Sequence, residues 1–193
     1  LKKKINICYG DIRNYEKLET YLLKIKPDII IHMAAQTLVI ESYKNPIYNF
    51  ETNILGVINL FEIIKKNDLK SIVLNITTDK VYKNIGKKTA FKEDDMLGSE
   101  DPYSASKACS EIITNSYYKS FFTDKKKLCF IATARSGNVV GGGDFSENRL
   151  IPDILKAYDN KENINIRNPK STRPWLHVLE PLRGYLMLIE KLH

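Results

Sequence analysis

Short apolar runs rich in β-branched residues alternate along this chain with stretches of helical spacing, and this alternation most constrains its fold. The strand-like runs lie at residues 5–9, 28–32, 71–76, 128–134 and 164–167. The helical stretches lie at residues 14–25, 46–64, 102–121, 152–158 and 181–192. Continuous apolar runs are typical of strands buried on both faces, and repeated β-α-β units favour parallel pairing. The sequence therefore predicts an α/β fold with a doubly wound, Rossmann-like parallel sheet.

Two loops interrupt this pattern, and the composition excludes several classes of protein. Residues 81–100 are predicted as a polar loop and residues 137–143 as a glycine-rich loop. The 193 residues are 43% hydrophobic and 27% charged, as expected of one globular domain. No apolar run approaches membrane-spanning length. The formal charge of +7 comes from scattered basic residues, apart from short runs such as 125–127, without interleaved aromatic residues. We expect neither a membrane nor a nucleic acid as partner.

The three cysteines lie far apart in the sequence and lack the spacing of metal ligands. They are Cys8, Cys109 and Cys129. We expect reduced, buried thiols in a cytoplasmic protein, and no bound metal.

Tyr103 and Lys107 form a candidate catalytic pair at the start of a predicted helix. Their spacing of four residues puts both side chains on one helix face. A nearby ammonium favours the phenolate, so we expect Lys107 to lower the pKa of Tyr103 and suit it to proton transfer from an alcohol. Asp101 and Pro102 supply a helix cap and a favoured first helical residue. The spacing alone is weak evidence in a chain with many tyrosines and lysines.

Polar or small residues follow four of the predicted strands. They are Asp11, the segment 32–36, the segment 77–80 and the segment 136–138. In doubly wound sheets, ligands bind at the carboxyl ends of the strands. Ala34 and Ala35 would let a ligand approach the backbone closely. These endings together favour a binding site at this edge of the sheet.

Several motifs make the chain resemble the extended short-chain dehydrogenase/reductase family. They are GDIR at 10–13, HMAAQ at 32–36, TNILG at 52–56, TTDKVY at 77–82 and Y-x-x-x-K at 103–107. Within the family, the chain is most similar to the 4,6-dehydratases of CDP-glucose. That similarity rests on TDK at 78–80, DPYS at 101–104, ARSGNVVGGGD at 134–144, RLIPD at 149–153, IRNP at 166–169 and RPWLHV at 173–178.

The family opens with a strand and a G-x-x-G-x-x-G turn that holds the NAD pyrophosphate, and this chain lacks that turn. We therefore expect a fragment that binds NAD poorly by itself. Residues 1–148 would be a partial NAD-binding domain, and residues 149–193 the start of a substrate-binding region.

The resemblance implies an NAD-dependent lyase that converts CDP-glucose to its 4-keto-6-deoxy product with loss of water. Tyr103 would take the proton of the 4-hydroxyl, and Thr78 would bind the 4-oxygen. Lys107 would assist Tyr103 and bond the nicotinamide ribose. Asp79 would be the acid for the departing hydroxyl. Lys80 would be either the base at carbon 5 or an electrostatic stabiliser of the enolate, and the sequence leaves both roles open.

Further roles follow from the same resemblance. The implied cofactor contacts are Asp11, Ile12, Ala34, Ala35, Asn53, Thr77, Tyr103 and Lys107. The implied substrate contacts are Thr78, Asn138, Arg149 and Arg173. A homodimer would form through the helices at 47–66 and 102–121. Two alternatives stay open: another NAD-dependent sugar epimerase or dehydratase, and a non-catalytic remnant or nucleotide-sugar-binding subunit.

Overall fold

A parallel sheet forms the centre of the molecule. The computed structural model describes residues 5–86, 89–124 and 129–193. Within these ranges, three parallel strands pair in chain order: β1 (Ile29–His32), β2 (Ile72–Ile76) and β3 (Phe130–Ala134). In this register His32 lies opposite Asn75, and Asn75 lies opposite Thr133. The carboxyl ends of all three strands therefore meet at one edge.

Seven α-helices within the described ranges surround the sheet. They are α1 (Tyr15–Ile25), α2 (Val39–Lys44), α3 (Pro46–Phe50), α4 (Gly56–Lys66), α5 (Pro102–Tyr117), α6 (Leu150–Asn160) and α7 (Leu179–Leu192). A π-helical segment, Glu51–Leu55, joins α3 to α4. A second π-helical segment, Tyr118–Phe122, continues α5. The long helices predicted from Pro46 and Pro102 are confirmed, whereas α2 was not predicted.

Alternate residues of β2 face opposite layers, as the two-residue period of a strand requires. Val73 joins a core with side chains of α1 and α4. Leu74 is fully buried and belongs to a second cluster with Tyr185 and Ile189 of α7. Burying such a leucine contributes roughly 1.5–3 kcal/mol. Helices on both faces of a parallel sheet confirm the predicted doubly wound fold.

Side-chain caps begin α1 and α5, and the cap at Asp101 is the one predicted from the sequence. The side chain of Asn14 accepts a hydrogen bond of 3.0 Å from the backbone N–H of Lys17 and begins α1. The carboxylate of Asp101 accepts one of 2.9 Å from the N–H of Ser104, and Pro102 follows as the first residue of α5. Both bonds satisfy amide donors that the first helical turn leaves free.

Two predicted strands are absent from the described structure. Residues 5–9 pair with no strand, and Ile7 and Tyr9 are largely exposed. Residues 164–167 are also irregular, with Ile164 and Ile166 about half exposed. Apolar alternation stabilises a strand only where a neighbouring strand completes its hydrogen bonds, and neither segment has such a neighbour.

A second small sheet forms where the sequence predicted a glycine-rich loop. Strand β4 (Asn138–Val140) pairs in parallel with β5 (Trp175–His177). A Cβ atom on Gly137 would lie 2.8 Å from the carbonyl oxygen of Pro174, and one on Gly141 would lie 2.7 Å from Cγ1 of Val178. The glycines therefore permit close packing of the two strands.

This pairing joins residues from both sides of the boundary predicted at 148/149, and α7 packs against the main sheet. The division into two domains stays a prediction. Residues 1–4, the basic run at 125–127 and Leu128 of the strand predicted at 128–134 lie outside the described residues. No described helix combines the length and apolarity needed to cross a membrane. Cys8 is exposed and Cys109 half-buried, so the prediction of a buried thiol is right for Cys129 alone.

Candidate active site

The chain turns at the end of β2 beside the end of β3. The N–H of Thr77 donates to the carbonyl oxygen of Ala134 at 2.8 Å, and that of Asp79 donates to Ser136 at 3.0 Å. The hydroxyl of Thr78 donates to the carboxylate of Asp79 at 3.1 Å and accepts a long bond of 3.4 Å from the N–H of Lys80. These bonds hold the segment with the three predicted catalytic residues at the strand end.

Tyr103 faces this strand end from the first turn of α5. Its side chain is buried and has the Thr78 side chain as a hydrogen-bond partner. The ammonium nitrogen of Lys80 lies 5.8 Å from the centroid of the Tyr103 ring. The structure thus brings Tyr103, Thr78, Asp79 and Lys80 together.

The expectation that Lys107 lowers the pKa of Tyr103 is wrong. Burial raises the pKa of Tyr103, because a buried phenolate loses its hydration. The hydrogen bond with Thr78 and the charge of Arg149 oppose the rise, and the carboxylates of Asp79 and Asp101 add to it. In this structure Tyr103 is a proton-bearing phenol.

Lys107 lies beneath Tyr103 and is directed at the sheet. Its ammonium donates a hydrogen bond of 2.8 Å to the carbonyl oxygen of Ile76. Burial lowers the pKa of Lys107 to about 8, and Glu111 opposes the fall. The neighbouring His32 is also buried; burial, with the charge of Lys107, lowers its pKa to about 4. His32 is therefore a neutral neighbour of a buried ammonium.

Asn53 lies in the π-helical segment and joins two parts of the site. Its side-chain oxygen accepts a bond of 2.8 Å from the N–H of Gln36. Its amide nitrogen bonds the carbonyl oxygen of Gln36 at 3.0 Å and the hydroxyl of Ser106 at 2.8 Å. Asn53 thus ties the segment after β1 to α5, and its predicted contact with a cofactor stays a prediction.

The segment at Asp11 and Ile12 is fixed to the helix over 46–66. Arg13 bonds both carboxylate oxygens of Asp11 and lowers the pKa of Asp11 to about 2. Arg13 also pairs with Glu51 at 2.9 Å. A Cβ atom on Gly56 would lie 2.7 Å from the Ile12 side chain, so glycine is needed for this approach. Ala34 is exposed and Ala35 half-buried at the end of β1.

The predicted substrate residues are less closely grouped. Arg149 lies within electrostatic reach of Tyr103 and bonds Asp144 and Thr37, each at 3.0 Å. Asn138 is the first residue of β4. Arg173 is exposed and donates to the carbonyl oxygen of its neighbour Thr172. Arg149 therefore lies near the site, whereas the hydrogen bond of Arg173 is to its own neighbour and not to a residue of the site.

Sequence reasoning missed a buried carboxylate beneath the site. Glu111 accepts bonds from the hydroxyls of Thr77 and Thr133 and pairs with Arg135 at 2.9 Å. Its spacing was a usable signal, since Glu111 is one turn beyond Lys107 on the same helix face. No group of His, Cys, Asp and Glu side chains suited to a metal ion occurs within the described ranges.

Comparison with known proteins identifies the family. The family model described as GDP-mannose 4,6 dehydratase matches residues 1–193. The chain belongs to this family. The match extends from residue 1 to residue 193, so the family membership that the motifs predicted is confirmed.

Nucleotide-sugar dehydratases are among the proteins that this chain is similar to. CDP-glucose 4,6-dehydratase of Salmonella typhimurium is 44% identical over 187 residues, which cover 95% of this chain and 52% of that protein. dTDP-D-glucose 4,6-dehydratase of Dictyostelium discoideum is 34% identical over 202 residues, which cover 98% of this chain and 45% of that protein. Among solved structures, this chain is similar to DesIV, a dTDP-glucose 4,6-dehydratase from Streptomyces venezuelae with NAD and TYD bound. The TM-score is 0.82 at 26% identity, and the match covers 93% of this chain and 53% of DesIV. The chain spans about half the length of the curated relatives it matches.

Proposed function

We propose that this chain carries the catalytic side chains of an NAD-dependent nucleotide-sugar 4,6-dehydratase that acts on CDP-glucose. The observation that carries the proposal is the meeting of Tyr103 on α5 with Thr78, Asp79 and Lys80 at the end of β2. The 44% identity to a CDP-glucose 4,6-dehydratase supports the choice of substrate.

The residues present fit NAD. Ala34 and Ala35 leave the backbone open at the carboxyl end of β1, where ligands bind in such sheets. Within the described residues, the buried Nε2 of His32 and Oε1 of Gln36 on the same segment have no hydrogen-bond partner. Polar atoms buried without a partner cost free energy unless a ligand or water bonds them. Bound NAD would take a hydride from carbon 4 of the sugar and return it at carbon 6.

Each side chain of the site has a separate task. Tyr103 would exchange a proton with the 4-hydroxyl, and Thr78 would hold the 4-oxygen in place. Lys107 would bond the nicotinamide ribose, and Asp11 and Ile12 would contact the adenine. The ketone at carbon 4 makes the proton at carbon 5 acidic, so water can leave from carbons 5 and 6.

The elimination needs an acid and either a base or a stabilising cation. Asp79 in its protonated form would give its proton to the departing hydroxyl, which leaves as water, since its side chain is held beside the 4-oxygen binder Thr78. Lys80 stands over the Tyr103 ring and would act on carbon 5, either as base or as a cation beside the enolate. Arg149 would bind the pyrophosphate through its guanidinium fork.

The proposal includes a homodimer through the helices at 47–66 and 102–121. The two helices touch where the Asn49 amide donates to the carbonyl oxygen of Pro102 at 3.0 Å. Each also exposes large apolar side chains, among them Ile47 and Ile112. Adjacent helices with exposed apolar groups suit association with a second copy.

The test is to incubate the full-length protein and NAD with the CDP-, dTDP-, UDP- and GDP-glucose substrates. We expect CDP-glucose to lose one water and to give the alkali-induced absorbance of a 4-keto sugar. A product of unchanged mass that is epimeric at carbon 4 would instead indicate an epimerase. Binding without turnover of any substrate would indicate a nucleotide-sugar-binding subunit.

A further inference from the structure

A buried ion pair lies beneath the candidate site, one helical turn beyond Lys107. Arg135, just after β3, bonds the two carboxylate oxygens of Glu111 through Nε at 2.9 Å and through NH2 at 3.1 Å. The side chain of Glu111 is 4% exposed. The same carboxylate accepts hydrogen bonds from the hydroxyls of Thr77 and Thr133. Glu111 is thus the point at which α5, β2 and β3 are joined by polar contacts.

One end of this network reaches the catalytic groups. Thr77 directly precedes Thr78, and its hydroxyl is held by Glu111. Lys107 lies four residues before Glu111 on the same face of α5. The negative charge of Glu111 favours the protonated form of Lys107, which burial disfavours. A change at Glu111 therefore acts on Lys107 and on the strand end together.

The other end reaches the loop predicted at residues 81–100, at its described residues Tyr82 and Glu93. Arg135 donates to the carbonyl oxygen of Glu93 at 3.0 Å, and its guanidinium lies 4.8 Å from the centroid of the Tyr82 ring. The Tyr82 ring stacks on Phe91 at 4.7 Å. The loop begins directly after Lys80, so it borders the candidate site. Arg135 is the contact through which this loop meets the polar network.

Stability alone does not account for such a network. Removing two charges from water is costly, and apolar residues of similar volume often stabilise a fold as well as a buried pair does. The positions of the contacts point to a role in the reaction instead, because Thr77 directly precedes Thr78 and Arg135 contacts the loop that follows Lys80.

We propose that Glu111 is a positioning residue for the dehydration. It holds Lys107 and the Thr77–Thr78 strand end in their reactive arrangement and is tied through Arg135 to Tyr82 and Glu93 of the loop after Lys80. This inference rests on the proposed function. Glu111 does not contact the sugar in this account; it acts through the groups that do.

The charge of Lys107 gives a readout that is specific to this role. His32 faces Lys107 from β1, the carbonyl oxygen of Ile76 faces it from β2, and Tyr103 and Glu111 flank it on α5. His32 stays neutral above about pH 4, and burial raises the pKa of Tyr103, so Glu111 is the anion of this set at neutral pH. Replacing Glu111 with glutamine should move the pKa of Lys107 further below about 8.

The experiment compares Glu111→Gln with Glu62→Gln in the full-length protein. Glu62 is a matched control on α4, since it pairs with Lys65 at 2.5 Å and accepts from the Tyr117 hydroxyl at 2.7 Å, away from the strand ends. For Glu111→Gln we expect kcat to fall by at least about tenfold, with KM for CDP-glucose changed by less than about threefold. The pH at which kcat changes should move to a lower value. The midpoint of the Lys107 titration, followed by NMR without substrate, should also move to lower pH. Glu62→Gln should move neither.

The double variant Glu111→Gln with Arg135→Gln addresses the case in which the single variant fails to fold. It removes the Arg135 charge that the single variant leaves buried without its carboxylate, so it should be the more stable of the two. Recovery of melting temperature without recovery of kcat supports positioning. Recovery of melting temperature and kcat together overturns the inference. It is also overturned if Glu111→Gln folds and keeps the wild-type Lys107 titration and kcat. An inactive wild-type protein would instead refute the proposed function.

Discussion

The Lys107 ammonium on α5 donates a 2.8 Å hydrogen bond to the carbonyl oxygen of Ile76, the last residue of β2. This bond joins the helix that carries Tyr103 to the strand that carries Thr78. It also fixes a buried cation, and burial lowers the pKa of Lys107 from its usual 10.5 to about 8.

The first prediction concerns stability against pH. Between about pH 8 and 10.5, the unfolded chain holds the Lys107 proton while the folded protein has released it. The unfolded state then binds more protons, so the free energy of unfolding should rise with pH by up to about 1.4 kcal/mol per unit. Urea unfolding of the wild type and of Lys107→Met across this range would measure the difference. If the free energy of unfolding varied with pH in the same way for both proteins, this would contradict the burial assigned to Lys107.

The second prediction concerns Tyr103→Phe. Removing the hydroxyl removes the group proposed to exchange a proton with the sugar, together with its contact with Thr78, and keeps the ring that Lys80 covers. Turnover should fall by at least about 100-fold, because positioned proton transfer contributes on that order. Nucleotide binding, measured by calorimetry, should change little. A variant that keeps more than about a tenth of wild-type turnover would exclude the role given to Tyr103.

The third prediction concerns Asp79→Asn. An amide keeps the hydrogen bond from Thr78, but its N–H protons are not acidic enough to protonate a departing hydroxyl. Oxidation of the sugar should proceed and elimination should stall. The near-ultraviolet absorbance of reduced cofactor should therefore accumulate in single-turnover mixtures with CDP-glucose. Normal product formation without that signal would contradict the assignment.

The sequence was sufficient where one local signal decides one structure. Asp101 and Pro102 mark a helix start by their side-chain chemistry, and the predicted cap is formed. Val73 and Leu74 lie in a continuous apolar run, and β2 is buried on both faces. The cluster around Thr78 followed from the rule that parallel strands end at one edge of a sheet.

The sequence was insufficient where the outcome depends on a distant partner. Tyr9 and Ile166 lie in strand-like runs that have no neighbouring strand within the described residues. The glycines around Asn138 suggested a loop, whereas Pro174 and Val178, far along the chain, are what make those glycines necessary. The pKa of Tyr103 was misjudged because spacing reveals the nearby lysine but not the burial that outweighs it.

The fourth prediction concerns Gly56→Ala. The new Cβ would lie 2.7 Å from the Ile12 side chain, so the Asp11–Ile12 segment must shift. We expect a loss of about 1–3 kcal/mol in the free energy of unfolding. The control is Gly184→Ala in α7, where no atom lies within 4 Å and the helix should gain about 0.5–1 kcal/mol. Equal effects of the two substitutions would contradict the close packing at Gly56.

The fifth prediction concerns association. Ile47→Asp combined with Ile112→Asp places charge on both exposed helix surfaces. Sedimentation equilibrium should report a monomer for this variant and a dimer for the full-length wild type. Leu155→Asp is the control, since Leu155 is equally exposed on α6. A double variant that stays dimeric would place the dimer interface elsewhere.

The central claim is that Tyr103 and the Thr78–Lys80 strand end carry out oxidation and elimination on one sugar. The most direct measurement uses CDP-glucose that carries deuterium at carbon 4, with NMR analysis of the product from the full-length protein. The account predicts deuterium at carbon 6 of a 4-keto-6-deoxy sugar. Deuterium that stays at carbon 4, in the substrate or its epimer, would contradict it.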